Sequence, residues 1–157
     1  KLILVDAAGF PLNSTSVPIG FQIARMPALA TLMSKVLPRP MIESSLRNVY
    51  GNPDLVTPQL IERYYELSLR AGNRAALIQR FSQRDDPTLN QARISQLSVP
   101  TLILWGGRDR LIPPANAELF RAAIQGSQLQ MFDMLGHVPQ EEDPASTVAA
   151  VEAFLSQ

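Results

Sequence analysis

Two side chains with complementary chemistry follow two apolar runs in the last third of the chain. Asp109 comes shortly after the run Val99–Trp105, and His137 comes shortly after the run Gln128–Phe132. An imidazole, with a pKa of about 6.5, is suited to act as a general base at neutral pH. A carboxylate bound to one imidazole nitrogen fixes the tautomer and stabilises the imidazolium that forms when the other nitrogen takes up a proton. The pair is therefore a candidate for acid–base chemistry.

Each of these two residues also has a simpler interpretation. Asp109 could be an exposed loop residue that caps a turn or pairs with Arg108 or Arg110. His137, which follows Gly136, could be a loop histidine that is bonded only to the backbone. The distance between the two side chains distinguishes these interpretations from a functional pair.

Three apolar runs predict the strands that would position the pair. They are Leu2–Val5, Val99–Trp105 and Gln128–Phe132, each bounded by turn residues as in buried strands of a parallel sheet. Helices are predicted over residues 115–124 and after Asp143-Pro144, so residues 99–157 would form a βαβα unit. Loops at the carboxyl ends of parallel strands meet at one edge of the sheet, and neighbouring strands lie about 4.8 Å apart. We therefore expect Asp109 and His137 to be in contact.

The long middle of the chain has no strand pattern and predicts helices instead. They are expected near residues 19–36, 40–49, 58–71 and 74–84. The third is the best marked, because Thr57 can cap it, Pro58 stands at its first position and Gly72 follows its end. A helical block between two strands of one sheet indicates a lid. The apolar side chains that would form the core of the lid or line a substrate pocket include Phe21, Met26, Met33, Tyr64, Tyr65 and Phe81.

Together these motifs resemble the α/β-hydrolase family over nearly the whole chain. The segment Val99–Pro113 looks like the family's seventh strand and acid loop, and Gly136-His137 with Asp143-Pro144 looks like its histidine loop and last helix. Leu2–Pro11 is similar to the sixth strand. The resemblance implies an α/β fold class: three parallel strands of a larger doubly wound sheet, with an inserted helical cap. It divides the chain into a core strand at residues 1–11, a cap at 12–95 and a core βαβα unit at 96–157.

The resemblance also implies roles for the candidate residues. Asp109 would be the catalytic acid that orients His137, and His137 would be the general base that takes the proton of a nucleophile. Asp6 ends the first apolar run, a position from which some family members draw the acid; anchoring the hinge of the cap is its other possible role. Trp105 would belong to the core or to the pocket wall. No cofactor is implied.

The nucleophile that this family needs is missing from the sequence. Neither a Gly-x-Ser-x-Gly motif nor a Gly-rich oxyanion loop occurs in the 157 residues. Ser14 and Ser16 are interpreted as loop and helix-cap residues. Because the family's nucleophile precedes its sixth strand, we expect the N-terminal half of the same hydrolase, in a companion chain or a longer polypeptide. Without it, Leu2–Val5 would present an unpaired apolar edge and the chain would not turn over substrate.

Three functions are compatible with these residues. The leading one is a cap-bearing hydrolase that acts on a small or medium apolar ester or a related carbonyl compound, including carbon–carbon cleavage substrates. The second is a haloalkane dehalogenase or epoxide hydrolase, in which the nucleophile is an aspartate and His137 activates water. The third is a non-catalytic relative that binds a ligand beneath the cap.

Composition argues against several other kinds of partner. Lys plus Arg and Asp plus Glu both number 14, so the net charge of zero gives no attraction to nucleic acid or to an anionic membrane. The absence of cysteine and the single histidine argue against a protein-only metal site. The apolar stretch Val17–Leu37 is interrupted by Arg25, Pro27 and Lys35, so it does not predict a membrane span. A small-molecule substrate and a cytoplasmic location are expected.

Overall fold

The structure is a computed structural model of the chain. It describes residues 1–11, 14–18, 22–23, 26, 37–82 and 87–157, without the side chains of residues 81–82 and 87–89. The helix predicted near residues 19–36 therefore lies almost entirely outside the described residues, as do Phe21, Met33 and the side chain of Phe81.

The described residues form three strands and a series of helices. The strands are β1 (Leu2–Val5), β2 (Thr101–Gly106) and β3 (Gln128–Phe132). The helices between β1 and β2 are α1 (Arg39–Val49), α2 (Pro58–Leu69), α3 (Asn73–Ser82) and α4 (Pro87–Ile94), with a 3₁₀ turn at Pro53–Leu55. The helices after β2 are α5 (Ala115–Ala123), α6 (Pro139–Glu142) and α7 (Pro144–Leu155).

The three strands form one parallel sheet in the order β1–β2–β3. Leu2 lies opposite Thr101 on one side of β2, and Leu129 lies opposite Ile103 on its other side. Every residue of β2 is buried, because a strand covers each of its edges and helices cover both of its faces. The sheet confirms the predicted α/β class with three parallel strands.

Two details of the strands differ from the prediction. β2 begins at Thr101 and not at Val99, since Pro100 has no N–H to donate to a neighbouring strand. The residues of β1 are half-buried and not fully buried, and within the described residues β1 pairs with β2 alone.

Helices cover both faces of the sheet. Ile103 and Trp105 point to one face, where they pack against Phe120 of α5. Leu102 points to the other face, where it packs against Phe154 of α7. Since successive side chains of a strand point to opposite faces, α5 and α7 enclose the sheet between them as in a doubly wound fold. Trp105 is fully buried, so it belongs to the core and not to a pocket wall.

Helices α1 to α4 fall within the residues predicted to form the cap. α1 and α2 pack together around Leu46, Tyr50 and Val56. Val138, which follows His137, joins the same cluster. Helices α1 and α2 therefore pack directly against the histidine loop. Among the pocket candidates, Tyr64 lies in this cluster, whereas Met26 is exposed.

Helix α2 begins where the sequence predicts and ends earlier. The side chain of Thr57 accepts a hydrogen bond from the N–H of Leu60 at 3.2 Å, which is the predicted N-cap. The helix ends at Leu69 and not at residue 71, and Gly72 takes the positive φ of 87° that commonly follows a helix end.

Two short helices are absent from the prediction. α4 begins at Pro87, where a proline lacks only an N–H that has no helical partner. α6 begins at Pro139, directly after the histidine loop. Of the helices that the structure describes, none is long and apolar enough to cross a membrane.

Candidate active site

The loops that follow β2 and β3 are bonded to each other. The N–H of Gly107 donates to the carbonyl of Phe132, and the N–H of Arg108 donates to the carbonyl of Leu135, both at 2.8 Å. The acid and histidine loops therefore form one backbone unit at the carboxyl edge of the sheet. In open α/β sheets this is the edge at which ligands bind.

Asp109 is buried and fully hydrogen-bonded. Its Oδ1 accepts from the N–H of Leu111 at 2.8 Å and from the N–H of Ile112 at 3.0 Å. Its Oδ2 lies 2.8 Å from Nδ1 of His137, which donates the hydrogen bond. The side chain is held from three directions, so it presents Oδ2 to the imidazole in a fixed orientation.

His137 is fixed by its backbone as well as by its side chain. Its N–H donates to the carbonyl of Val49 at 2.7 Å, and its side chain remains 23% exposed. Burial lowers the pKa of His137, but the hydrogen bond and the charge of Asp109, together with the charge of Asp6, raise it more, so the pKa stands above its usual value. With Nδ1 occupied by Asp109, Nε2 is the nitrogen left to exchange a proton.

Asp6 brings a second carboxyl group into the site. It directly follows β1, is buried, and has a φ of +43°, an uncommon backbone conformation for a residue other than glycine. Its Oδ1 accepts from the N–H of Gly106 at 2.9 Å, and its Oδ2 is buried without a hydrogen-bond partner. Burial raises the pKa of Asp6, the Gly106 N–H lowers it, and the charge of Asp109 raises it again, giving a value of about 8.

Close backbone contacts between glycines hold the two loops and the turn after α1 together. A Cβ at Gly106 would overlap the carbonyl of Gly136. A Cβ at Gly51, just after α1, would lie 2.6 Å from the nitrogen of Gly136. Gly136 therefore lies between the end of β2 and the end of α1, with no room for a side chain at any of the three positions.

Glu142 of α6 connects the histidine loop to the turn after α1. Its Oε1 accepts from the N–H of Gly136 at 2.6 Å. Its Oε2 accepts from the N–H of Gly51 at 2.9 Å and from the N–H of Asn52 at 3.3 Å. One carboxylate thus binds backbone on both sides of the contact between α1 and the histidine loop.

The neighbouring Glu141 binds the side chains of the cap. The hydroxyl of Tyr64 donates to its Oε1 at 2.7 Å, and the hydroxyl of Tyr50 donates to its Oε2 at 3.0 Å. Burial and the nearby carboxylate raise the pKa of both tyrosines above the usual value. Both phenols therefore stay protonated and keep donating at any physiological pH.

The site contains atoms at a spacing that a metal ion could also use. One ligand atom from each of Asp6, Asp109 and His137 lies within 4.8 Å of the other two. However, Nδ1 of His137 and Oδ2 of Asp109 are already bonded to each other at 2.8 Å, so a cation would have to break that bond. These two atoms are therefore already paired in a carboxylate–imidazole hydrogen bond.

The order of these features along the chain is that of a known family. Its profile, described as the alpha/beta hydrolase fold, matches residues 3–144. The chain belongs to the α/β-hydrolase family.

Proteins similar to this chain include a semialdehyde hydrolase, a lipase and an esterase. The 2-hydroxymuconate semialdehyde hydrolase of Pseudomonas putida is 31% identical over 108 residues, which are 66% of this chain and 38% of that protein. Lipase 3 of Moraxella sp. (strain TA144) is 36% identical over 61 residues, which are 39% of this chain and 19% of the lipase. The solved structure of a thermophilic esterase from Thermogutta terrifontis has a TM-score of 0.74 at 26% identity, covering 99% of this chain and 55% of the esterase. The chain thus spans about half the length of the esterase and a smaller share of the two curated relatives.

The structure brings together two of the predicted α/β-hydrolase site residues and adds a third. Asp109 and His137 are in contact, so the interpretation of Asp109 as an exposed loop residue is wrong. Asp6 joins them instead of lying only at the hinge. Ser14 donates to the carbonyl of Leu111 at 2.5 Å and Ser16 accepts from the amide of Asn48, so both serve the loop structure.

The sequence analysis missed the residues that join the histidine loop of this α/β-hydrolase chain to the turn after α1. Glu142 and Gly51 have no motif of their own, because their roles depend on how close two distant backbone segments come. The one signal available was the pair of adjacent acids, Glu141 and Glu142, shortly after the candidate base. Such a pair is indistinguishable in sequence from a solvated helix start.

Proposed function

We propose that this chain supplies the acid and the general base of a cap-bearing hydrolase whose nucleophile lies outside these 157 residues. The observation that carries the proposal is the 2.8 Å contact between Nδ1 of His137 and the buried carboxylate of Asp109. It leaves Nε2 as the proton-accepting atom of a base whose orientation is fixed.

In the proposed reaction, a serine hydroxyl attacks the substrate carbonyl carbon and gives its proton to Nε2 of His137. The C–O bond that forms converts the carbonyl to a tetrahedral oxyanion. As this species collapses, the bond to the leaving group breaks and the imidazolium returns the proton to the leaving group. Asp109 stays ionised throughout and stabilises the imidazolium by its hydrogen bond to Nδ1. Water then repeats the sequence on the acyl group.

We propose an apolar ester, or a carbonyl compound cleaved at a carbon–carbon bond, as the substrate. The relatives support both chemistries, since one is a lipase and another a 2-hydroxymuconate semialdehyde hydrolase. In ester hydrolysis the leaving group takes its proton on oxygen, and in carbon–carbon cleavage it takes its proton on carbon. Helices α1 and α2 pack against the histidine loop through Val138, which supports their proposed role as a cap over such a substrate.

We further propose that additional strands pair with the outer edge of β1. Within the described residues only β2 covers this strand, and the side chains of β1 are half-buried. An open edge of apolar residues favours association with other strands. The segment that supplies them would also carry the nucleophile and the oxyanion donors.

The test uses the full-length protein that carries this chain. We expect His137→Ala to abolish hydrolysis of a p-nitrophenyl ester and of a carbon–carbon cleavage substrate. Met134→Leu is the matched control, because Met134 lies in the same loop, is 59% exposed and keeps its volume on substitution. Retained activity in His137→Ala would overturn the role of this residue.

A serine-reactive phosphonate tests the nucleophile separately. We expect the full-length protein to be labelled, and His137→Ala to be labelled more slowly because the serine has lost its base. An unlabelled protein that hydrolyses haloalkanes or epoxides would indicate an aspartate nucleophile. An unlabelled protein without any of these activities would indicate a ligand-binding relative.

A further inference from the structure

The second carboxyl group of the site has no part in the reaction proposed above. Asp6 is 3% exposed and follows the strand next to that of Asp109. Its backbone has a φ of +43°, in the left-handed region that is unfavourable for most L-residues. Its Oδ1 is held by the N–H of Gly106 at 2.9 Å. Asp6 therefore holds its carboxyl group in the site despite an unfavourable backbone conformation and the loss of contact with solvent.

The hydrogen bonds around the two carboxyl groups are unequal. Asp109 accepts from two backbone N–H groups and from His137, whereas Asp6 accepts from Gly106 alone. Two carboxylates this close together cannot both ionise without a large repulsion. The negative charge is therefore better stabilised on Asp109, and a proton shared by the pair belongs on Asp6.

Oδ2 of Asp6 is the atom available to carry that proton. It is buried and accepts no hydrogen bond, a costly arrangement for a charged oxygen and an ordinary one for a hydroxyl that donates. The neighbouring acceptor is the carboxylate of Asp109, since ligand atoms of Asp6, Asp109 and His137 lie within 4.8 Å of one another.

We propose that Asp6 is a positioning residue that acts as a neutral carboxylic acid. At neutral pH it stays protonated, and its hydroxyl donates a hydrogen bond to the carboxylate of Asp109. Asp109 in turn binds His137. The inference rests on the roles proposed for Asp109 and His137. It assigns to Asp6 the task of fixing the acid, not of replacing it.

The charges that surround Asp6 support this assignment. Burial raises the pKa of Asp6 most, the Gly106 N–H and the charge of His137 lower it, and the charge of Asp109 raises it, giving a value of about 8. The arginines of the acid loop are directed elsewhere: Arg108 contacts Sδ of Met134, and Arg110 donates to the carbonyls of Arg47 and Tyr50. Neither guanidinium forms an ion pair with Asp6 that would favour its ionised form.

The direct test is the titration of Asp6 in the full-length protein, followed by ¹³C NMR of aspartate carboxyl carbons. We expect one signal that titrates with a midpoint near 8 and disappears in Asp6→Asn. A signal assigned to Asp6 that titrates near 4 would overturn the proposal. This readout needs no catalytic activity, so it can fail or succeed independently of the proposed function.

Activity variants test the positioning role. Asp6→Leu removes the donor at similar size, and we expect kcat to fall about tenfold or more with little change in KM. Asn can accept from Gly106 and donate to Asp109, so Asp6→Asn is expected to recover most of that loss and to lack the alkaline inflection of the wild-type pH profile. Asp133→Asn, at an exposed carboxyl just after β3, is the control. If Asp6→Asn were as impaired as Asp6→Leu, or Asp6→Leu as active as wild type, the neutral-donor role would be wrong.

Discussion

The two carboxylate oxygens of Asp109 have different partners. Oδ1 binds the backbone of its own loop, and Oδ2 binds the imidazole. Loop structure and orientation of the base can therefore be separated by substitution, because an amide can replace one oxygen and not the other.

Asp109→Asn tests this separation. The amide oxygen can still accept from Leu111 and Ile112, whereas the amide nitrogen would face Nδ1 of His137 and favour the wrong tautomer. We expect kcat to fall by about a thousandfold to ten-thousandfold, with a small change in melting temperature. Asp109→Ala, which loses both sets of bonds, should lower the melting temperature as well. A loss of less than tenfold in Asp109→Asn would contradict the orienting role.

The dependence of stability on pH provides a second test at this scale. Asp6 and His137 both have a raised pKa in the folded state, so the native protein binds protons that the unfolded chain releases. For Asp6 the resulting stability is present below pH 4 and is lost as the pH rises towards about 8, by up to about 1.4 kcal/mol per pH unit. For His137 the loss begins at about pH 6.5 and continues through its raised pKa.

Urea unfolding of wild type and Asp6→Asn between pH 5 and 8 measures the contribution of Asp6. We expect the midpoint of the wild type to fall more steeply with pH than that of the variant, which has no carboxyl group to ionise. Parallel curves would show that Asp6 is ionised in the folded protein.

The sequence predicted the contact between Asp109 and His137 because both residues follow strands, and adjacent parallel strands place their loops side by side. It could not decide the role of Asp6. That role depends on a positive φ and on which of two carboxyl groups receives more N–H donors, and neither property has a sequence signature.

At the scale of elements, three backbone segments meet without side chains between them. They are the end of β2, the histidine loop and the turn after α1. Their glycines therefore set how closely these three segments approach one another.

Gly106→Ala tests this close approach. The new methyl group would overlap the carbonyl of Gly136 and displace the loop that bears His137. A displacement of about 1 Å at a catalytic group lowers the rate about a hundredfold, and we expect a loss of that size in kcat. Gly126→Ala is the control: its φ of +75° gives strain, but nothing lies within 4 Å of the added Cβ. Both variants should lose stability, and only Gly106→Ala should lose activity.

Glu142→Ala tests the link between cap and base. The substitution leaves the N–H groups of Gly51, Asn52 and Gly136 without their acceptor. We expect kcat to fall about 10–100-fold, as for other residues that orient a catalytic ligand through hydrogen bonds. Glu152→Ala, at an exposed position of α7, should behave as wild type in the same assay. Equal activity of the two variants would show that Gly136 is held by its packing alone.

The elements that the sequence predicted well are those with local signals. β1 and β3 have the predicted limits, and α2 begins at the predicted cap because Thr57 and Pro58 determine its start. α4 and α6 were missed since each is short and begins with a proline, which in sequence indicates an end as readily as a beginning. The division into core and cap stays a prediction.

For the molecule as a whole, the outer edge of β1 is the feature with the clearest consequence. The N–H of Leu2 donates to the carbonyl of Pro100, just before β2, and the N–H of Asp6 donates to the carbonyl of Leu104 in β2. Because N–H groups alternate between the two edges of a parallel strand, those of Ile3 and Val5 face the other edge.

Hydrogen exchange can therefore detect the strand that we propose beside β1. In the full-length protein we expect the amides of Ile3 and Val5 to be protected as strongly as that of Leu4, which faces β2. In the isolated 157-residue chain they should exchange faster than Leu4, and the chain should associate. Fast exchange of Ile3 and Val5 in the full-length protein would rule out a neighbouring strand.

The bond from His137 to Val49 and the bonds of Glu142 to Gly51 and Asn52 also decide how lids can be exchanged between relatives. Helix α1 ends at Val49, whose carbonyl binds the N–H of His137, so residues 49–52 belong structurally with the loops that follow β2 and β3 and not with the proposed lid. A chimera in which residues 49–52 come from a relative would change the orientation of His137 together with the substrate preference. In a chimera joined after Asn52, we expect the substrate preference to change and the orientation of His137 to stay the same.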